Sequence, residues 1–312
     1  MNLQQLEYII AVDQLKSFSK AALHCQVTQA TLSAMVKKLE EELQVVIFDR
    51  KLQPVITTDA GRDIVNEARM VIHHSTHLKE FARPGDRPLQ GNVKIGIIPT
   101  IASSLLSIVL KPLLEKYPEL VFEFYEFTTD NIVKQLRDGL IDMAIASTPL
   151  AMDGIEENIL YYEALLIYGS VDPNKEYILP KELEDHRIWL MEEGHCLRQQ
   201  VLQLCSLKPK ENLPKNLVFE ANSFETLLSM VDNFGGLTLI PELYYKTISE
   251  ARKRKVMPFA RPIPVREVSL IYFRPFAKGR IIEALTADIK EIVNRDLISN
   301  QYKKSELTIT QI

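Results

Sequence analysis

The sequence predicts a multi-domain chain of the α plus α/β class, with a helical N-terminal module, a long connecting helix and an α/β C-terminal domain. Three observations predict this order. Apolar residues recur at helical spacing through residues 3–43. After Asp59 the chain runs for roughly two dozen residues without proline. From Gly91 onward, β-prone runs alternate with helical ones.

Composition is that of an ordinary globular protein. Apolar residues make up 46% and charged residues 25% of the 312 positions, which excludes a disordered or fibrous chain and leaves room for two or three cores. There is no basic N-terminal stretch before the first apolar residues, and no run reaches the about 18 apolar residues of a membrane span. We therefore expect a cytoplasmic protein without a membrane partner. The net charge of -4 excludes bulk electrostatic coating of nucleic acid.

Residues 1–58 are predicted to begin with three helices. The first covers residues 3–14, the second starts near Ser17 or Ser19, and the third is capped by Thr28. In the third helix, aliphatic side chains repeat at helical spacing and must face inward, namely Leu32, Val36, Leu39 and Leu43. A short helix, a tight turn and a longer helix are typical of the helix-turn-helix.

The outward face of the third helix determines the functional interpretation. It carries small, polar and basic groups that can reach base edges and phosphates in a major groove, namely Thr28, Gln29, Ala30, Thr31, Ser33 and Lys37. A solvated face without function is the alternative, but the helix order favours DNA. Beyond the helix, β-prone runs at 45–48 and 54–57 indicate a wing, with Arg50 as its phosphate contact. Residues 1–58 are thus predicted to be a winged helix-turn-helix domain that binds double-stranded DNA.

Residues 59–88 are predicted to form a linker helix and a hinge. The helix ends near Phe81, and Pro84 then breaks the pattern. A seven-residue repeat of Ile64, Val71 and Leu78, with Ala68, Ser75 and Ala82 between them, forms a short seam that could pair two chains. Packing of this helix on its own domain is the alternative.

Side chains that could hold a metal are sparse. His73, His74 and His77 lie together on the linker helix, but no carboxylate or cysteine accompanies them. The three cysteines show no zinc-type spacing, and Cys25 is expected to be structural. We therefore expect neither a metal nor another cofactor.

Residues 89–312 are predicted to form an α/β domain. Strands at 93–98, 121–125 and 143–146 alternate with helices that start at Pro99 and Ile132, which implies a parallel sheet with helices on both faces. Further strands are expected at 188–191, 236–241 and 268–272, and a last helix at 281–293. In such sheets ligands lie at the carboxyl ends of strands, where Thr100 and Thr129 occur. Each threonine could instead be only a helix cap.

A pair of cysteines marks the middle of this domain. Cys196 lies in the first turn of a predicted helix, next to His195 and Arg198, and each of these features favours the thiolate. Cys205 follows nine positions later, about 13 Å along a regular helix, whereas a disulfide needs Cα atoms within roughly 7 Å. A bond between the two thiols would therefore require the helix to unwind. Alternatively, Cys205 is a buried hydrophobe and Cys196 is incidental.

The N-terminal segment closely resembles the signature of LysR-type transcriptional regulators. From Phe18 to Arg50 it is FSKAALHCQVTQATLSAMVKKLEEELQVVIFDR, with the family's T-Q-x-x-L-S start of the recognition helix. Ala30 replaces the family's common Pro, and Gln44 replaces a Gly, which leaves the helix end without its usual left-handed residue.

The resemblance covers essentially the whole chain. It implies a homodimer or homotetramer that binds promoter DNA and works with RNA polymerase, and it implies no enzyme activity. It also implies an effector domain like a periplasmic binding protein, with lobe I at about 89–162 and 265–312, lobe II at about 163–264, and the ligand in the cleft.

The segment GHCLRQQVLQLC also resembles the redox segment of OxyR-type regulators within this family, including the separation of the cysteines. The resemblance implies that hydrogen peroxide oxidises Cys196 to a sulfenic acid, which Cys205 converts to a disulfide. It also places peroxide near Thr100, Thr129 and His195. One position departs from the pattern, since Gln199 stands where an acidic residue is common.

Two other functions remain open at this point. A LysR-type regulator could bind a small organic anion through Thr100, Thr129 and helix N-termini, without redox chemistry. An enzyme or solute-binding protein on the two-lobed fold is disfavoured, because no signal peptide is evident and residues 1–58 form a DNA-binding pattern.

Overall fold

The computed structural model describes residues 1–81, 88–169, 175–204, 219, 221–273, 278–295 and 297–310. The chain divides into two compact units, one formed mainly by residues 1–87 and the other mainly by residues 88–312. Each unit has a hydrophobic core of its own.

The first unit contains helices and a short β-ribbon, in the order α1 (Leu3–Leu15), α2 (Phe18–His24), α3 (Gln29–Leu43), β1 (Phe48–Asp49), β2 (Ile56–Thr57) and α4 (Asp59–Phe81). The two strands pair antiparallel. They are shorter than the predicted β-prone runs, because Glu40 Oε1 accepts the backbone N–H groups of Ile47 and Phe48 at 2.8 and 3.2 Å. A side chain thereby takes hydrogen bonds that a longer ladder would use.

Helix α3 has the predicted inward face. Leu32, Val36 and Leu39 are fully buried, and the Thr28 hydroxyl accepts the Thr31 N–H at 3.1 Å as an N-cap. Gln44 itself adopts the left-handed conformation, with φ 54° and ψ 35°. The expectation that replacing Gly would leave this helix end without a left-handed residue is therefore wrong. Gln44 adopts the left-handed conformation despite its side chain, at a cost in backbone strain that glycine would not have.

Helix α4 uses one face for the core of its own unit. Val65 and Ala68 are buried, whereas Val71 and Leu78 are 40% and 75% exposed. Ala68, predicted to lie in the seam between two chains, belongs to the core of its own unit. Ala82 lies outside the described residues, as do the side chains of His73 and His77.

Asp13 joins α1, the wing and α4 through its carboxylate. It accepts hydrogen bonds from Thr57 at 2.6 Å, from Arg69 at 2.7 Å and from Lys16 at 2.8 Å. Burial raises the pKa of this carboxyl, but the hydrogen bonds from Lys16 and Thr57 and the charges of Lys16 and Arg69 outweigh that effect and lower it. The ionised form is therefore the one that the fold stabilises.

Replacing Asp13 by asparagine should lower the free energy of unfolding by about 2 kcal/mol near neutral pH, because hydrogen bonds to a charged group are lost. Since folding lowers the pKa of Asp13, its stabilisation is present above the unfolded pKa and disappears as pH falls through the folded pKa. The difference between parent and variant should therefore shrink below about pH 4 in urea unfolding curves. Glu41→Gln, at an exposed position, is the matched control, and an equal loss there would contradict the assignment.

The second unit is an α/β domain in two lobes. Its elements are β3 (Gly91–Ile97), α5 (Pro99–Lys116), β4 (Leu120–Glu126), α6 (Thr129–Arg137), β5 (Met143–Thr148), β6 (Ile155–Gly169), α7 (Cys196–Leu204), α8 (Phe224–Phe234), β7 (Leu237–Pro241), α9 (Glu242–Tyr245), α10 (Glu250–Lys253), β8 (Val256–Pro258), β9 (Ile263–Phe273), α11 (Gly279–Asn294) and β10 (Leu307–Ile309). The sheet order is β4-β3-β5-β9-β6-β7, with β10 beside β9 and β8 beside β6.

The sheet is mixed, whereas the β-α-β alternation predicted a parallel one. Strands β3, β4 and β5 are parallel, and β9 then runs antiparallel to both β5 and β6. Strand β6 pairs with β9 through Ala164 and with β7 from Leu165 onward, so it passes from one lobe into the other. The predicted strand at 188–191 is wrong, since only Ile188 forms a bridge there, to Leu237.

No helix in the described ranges is both long enough and apolar enough to cross a bilayer.

Candidate functional site

The outward face of α3 is available for a partner. Thr28, Gln29, Ala30, Thr31 and Lys37 are exposed, and Ser33 is half-buried. The Ser19 hydroxyl donates to Gln29 Oε1 at 2.9 Å, which orients the amide. Lys37 has only a loose contact with Glu41, at 3.6 Å, with both side chains largely exposed.

Arg50 lies on the surface of the first unit, and its side chain is fixed by three neighbours. Its guanidinium donates to Ser33 Oγ at 3.1 Å and to Glu40 Oε2 at 2.6 Å, and it lies 4.9 Å from the centre of the Phe18 ring. These contacts link the wing to α3 and α2, and the predicted phosphate contact of Arg50 stays a prediction. Glu40, which the sequence did not single out, thus connects Arg50 with the backbone of the β-ribbon.

The second candidate site surrounds Cys196, the first residue of α7. Leu197 and Val201 of this helix pack into the core of lobe II. The sulfur belongs to a free thiol and is almost completely buried, with 3% of the residue exposed. One turn further, Gln200 is fully buried and donates to Ser147 Oγ at 3.2 Å and to the Thr310 carbonyl at 3.3 Å. The thiol is therefore shielded from bulk water.

Buried hydroxyls line the surroundings of the thiol. Thr129 and Ser147 both interact with Cys196 and lower the pKa of its thiol, although burial has the larger, opposite effect. Thr129 Oγ1 and Gln200 Oε1 have no hydrogen-bond partner of ordinary geometry among the described residues. Neither predicted threonine is a helix N-cap: Thr100 lies inside the first turn of α5, whose cap is Ile98, and Thr129 is the first residue of α6. Such unpartnered groups can hold a small polar molecule.

Arg266 supplies the positive charge that acts on Cys196. This side chain, on β9, is fully buried and donates to Glu163 Oε1 at 2.6 Å, to Thr100 Oγ1 at 3.2 Å and to the Thr100 carbonyl at 3.0 Å. Its charge lowers the pKa of the Cys196 thiol, after the larger opposing effect of burial. Thr100 thus positions the cation.

His195 and Arg198, the predicted neighbours of the thiol, interact with other groups. His195 is buried, with its Nε2 4.0 Å from Glu192 Oε1, and Arg198 donates to the Met191 carbonyl at 2.9 Å. The sequence predicts that the helix start, His195 and Arg198 each favour the thiolate. Burial has the largest effect and raises the pKa of Cys196, although the Leu197 N–H in the first turn of α7 lowers it as predicted for the helix start. The prediction of a lowered pKa is wrong, because desolvation outweighs the nearby dipoles and charges.

The second predicted cysteine cannot be placed. Cys205 lies outside the described residues, and α7 is helical from Cys196 to Leu204, directly before it. In the described part of the chain, no group of three or more potential metal ligands occurs.

Sequence reasoning missed Ser147, Glu163, Gln200 and Arg266. A signal existed for Arg266, since it is a lone basic residue within the apolar run of β9, IPVREVSLIYF. A charge in the middle of a buried strand needs a partner, and the structure supplies it as Glu163 on β6. Nothing in the sequence shows that these strands are neighbours.

Family comparisons cover both units. Residues 3–62 match the family described as "Bacterial regulatory helix-turn-helix protein, lysR family", and residues 86–291 match "LysR substrate binding domain".

Individual proteins are similar over most of their length. A Haemophilus influenzae protein named "Hydrogen peroxide-inducible genes activator" is 33% identical over 94% of this chain and 99% of its own length. The Escherichia coli "DNA-binding transcriptional dual regulator OxyR" is 32% identical over 87% of this chain and 89% of its own. A full-length OxyR variant of Pseudomonas aeruginosa superposes with a TM-score of 0.79 at 31% identity, covering 93% of this chain and 98% of that one.

Proposed function

We propose a function from the premise that this chain belongs to the LysR family of transcriptional regulators, which are not enzymes, and is OxyR-like. The chain binds promoter DNA through α3 and changes transcription when hydrogen peroxide oxidises Cys196. The observation that carries the redox part is the buried free thiol at the start of α7, which interacts with the buried Thr129 hydroxyl and with the charge of Arg266. The names of the relatives support peroxide as the signal.

The proposed first step is a two-electron oxidation of the thiol. The Cys196 thiolate attacks one oxygen of peroxide, the O–O bond breaks, and the departing hydroxide takes up the thiol proton as water. Sulfur is oxidised to the sulfenic acid while peroxide is reduced. Arg266 stabilises the thiolate, and Thr129 offers a hydrogen bond to the bound peroxide.

The proposed second step joins Cys196 to Cys205. The Cys205 thiol attacks the sulfenic sulfur, the S–O bond breaks, and water leaves as the disulfide forms. A regular helix would separate these residues by about 13 Å, while a disulfide needs roughly 7 Å between Cα atoms. Helix α7 must therefore unwind, which breaks the contacts of Gln200 with Ser147 and Thr310. This rearrangement is the proposed switch.

The DNA-binding part follows from the first unit. Thr28, Gln29, Ala30, Thr31, Ser33 and Lys37 form the proposed contact face, and Arg50 fixes the wing beside it. Val71 and Leu78 leave apolar side chains of α4 open to a second chain, so that two recognition helices can meet two half-sites. We expect a homodimer or homotetramer, and RNA polymerase as a further partner.

The test of this function compares thiol-reduced and peroxide-treated protein on fragments of its own promoter. We expect both forms to bind, with different footprints, and only the oxidised form to change transcription in a purified system. If peroxide has no effect while a small organic acid alters the footprint, the proposal is wrong and an anion-responsive regulator replaces it.

Replacing Lys37 by alanine should weaken binding to promoter and to unrelated DNA alike, because a phosphate contact carries no sequence information. The slope of log affinity against log salt should decrease by about 1. Gln29→Ala, in contrast, should cost about 1 to 3 kcal/mol on the promoter only. Fluorescence anisotropy over a salt series measures both effects. Lys111→Ala, an exposed lysine of α5, is the control and should leave both affinities unchanged.

A further inference from the structure

The ion pair between Arg266 and Glu163 is fully buried, and both side chains also hydrogen-bond to backbone groups. The two residues face each other across β9 and β6, both side chains are 0% exposed, and Nε lies 2.6 Å from Oε1. The other carboxylate oxygen of Glu163 accepts the Leu243 N–H at the start of α9, at 3.2 Å. The sensing steps above give Glu163 no role.

The position of Glu163 makes it a competitor of the Cys196 thiolate. A buried cation needs one negative charge to balance it, and Glu163 already supplies that charge to Arg266. A thiolate at Cys196 would add a second negative charge beside one positive charge in the same desolvated region. Thiolate formation is then opposed both by burial and by the carboxylate that offsets Arg266.

Tyr161 and Glu242 also act on this pair. Tyr161 on β6, whose buried hydroxyl has no hydrogen-bond partner within the described ranges, interacts with both charges, and Glu242 on α9 acts on Glu163. Burial raises the pKa of Glu163, and the Arg266 charge opposes that rise.

Cys196 is connected to this region through its own helix: Gln200, one turn further along α7, donates to Ser147 Oγ at 3.2 Å, and Ser147 donates to the carbonyl of Glu267, the chain neighbour of Arg266, at 3.2 Å. Burial raises the pKa of the Cys196 thiol, and the charge of Arg266 opposes that rise. Glu163 and an ionised Cys196 would therefore compete for the positive charge of Arg266.

We propose that Glu163 is a positioning residue that holds Arg266 against Thr100 and, by offsetting its charge, restrains the reactivity of Cys196. Its value to the protein rests on the proposed peroxide function, since it would set the peroxide level at which the thiol reacts. The electrostatic coupling itself can be measured without peroxide.

The first test is a pH titration of the thiolate by its ultraviolet absorbance, with Cys196→Ser as the blank. Glu163→Gln keeps a hydrogen-bond acceptor for Arg266 but removes the charge, so Cys196 should ionise at lower pH, by about one unit or more. Glu163→Asp keeps the charge and should titrate like the parent. An unchanged or higher ionisation pH in Glu163→Gln, in a folded protein, would overturn the proposal.

The second test applies even if Glu163→Gln is too unstable to titrate. Cys196→Asp places a permanent negative charge at the thiol position. It should lower the thermal midpoint of the parent chain but raise that of Glu163→Gln, or rescue its folding, because Asp then balances Arg266. Cys196→Ser, of similar size and neutral, should show no such reversal. If Cys196→Asp destabilises both backgrounds equally, Glu163 and Cys196 do not share the charge, and the inference is wrong.

The two proposals fail in different ways. If the parent chain is not oxidised by peroxide, the proposed function fails, while the titration and the stability comparison still decide the role of Glu163. If oxidation occurs but Glu163→Gln neither lowers the ionisation pH nor speeds oxidation, only the present inference fails.

Discussion

Replacing Cys196 by serine should abolish the transcriptional response to peroxide while leaving promoter binding intact. Serine has nearly the same shape, and its hydroxyl can still hydrogen-bond to Thr129 and Ser147, but it has no sulfur to oxidise to a sulfenic acid. The thiol is buried in the second unit, whereas α3 belongs to the first, so the DNA contacts should be retained. The loss of response should be complete, so that the variant gives the same transcript level with and without peroxide.

Transcript yield in a purified system, with and without peroxide, measures this effect. Cys25→Ser is the matched control, since Cys25 is a half-buried thiol of the first unit whose pKa is raised by burial and by Glu7. It should respond like the parent. A peroxide response that survives Cys196→Ser but disappears in Cys25→Ser would transfer the sensing role to the DNA-binding domain.

Replacing Arg266 by methionine is expected to have the second-largest effect. The variant loses the cation that stabilises the thiolate, so oxidation of Cys196 by peroxide should slow by about 10- to 100-fold. It also leaves Glu163 charged and buried without a partner, which should cost about 3 to 5 kcal/mol of stability. The oxidation rate is measured from the amount of free thiol that remains at successive times after peroxide is added. Urea unfolding measures the loss of stability.

A double variant separates these two consequences. Arg266→Met combined with Glu163→Gln removes both charges, so the stability should recover in large part while oxidation stays slow. If oxidation recovers together with stability, Arg266 acts only by supporting the fold, and its electrostatic role is refuted.

The first unit could be predicted closely because its structure is encoded in local periodicity. Leu32, Val36 and Leu39 alone specify which face of α3 is buried. The lengths of the wing strands could not be predicted, since they depend on Glu40 reaching the amides of Ile47 and Phe48. That contact joins two elements whose relative placement only the folded unit defines.

The second unit shows a different limit. Alternating strands and helices correctly predicted β3, β4 and β5, but the antiparallel β9 comes from far along the chain. Arg266, whose charge acts on Cys196, lies on that strand. The helix start at Cys196 was predicted, while the direction of its pKa shift was not, because burial is a property of the packed lobes.

The central claim, that Cys196 is a peroxide-sensing thiol resolved by Cys205, is tested most directly by peptide mass spectrometry of the protein after treatment with stoichiometric peroxide. Digestion without reductant should yield one cross-linked peptide pair containing Cys196 and Cys205, and Cys205→Ser should accumulate the sulfenic acid at Cys196 instead. If both thiols remain free under these conditions while the protein still binds its promoter, the chain is not a redox sensor.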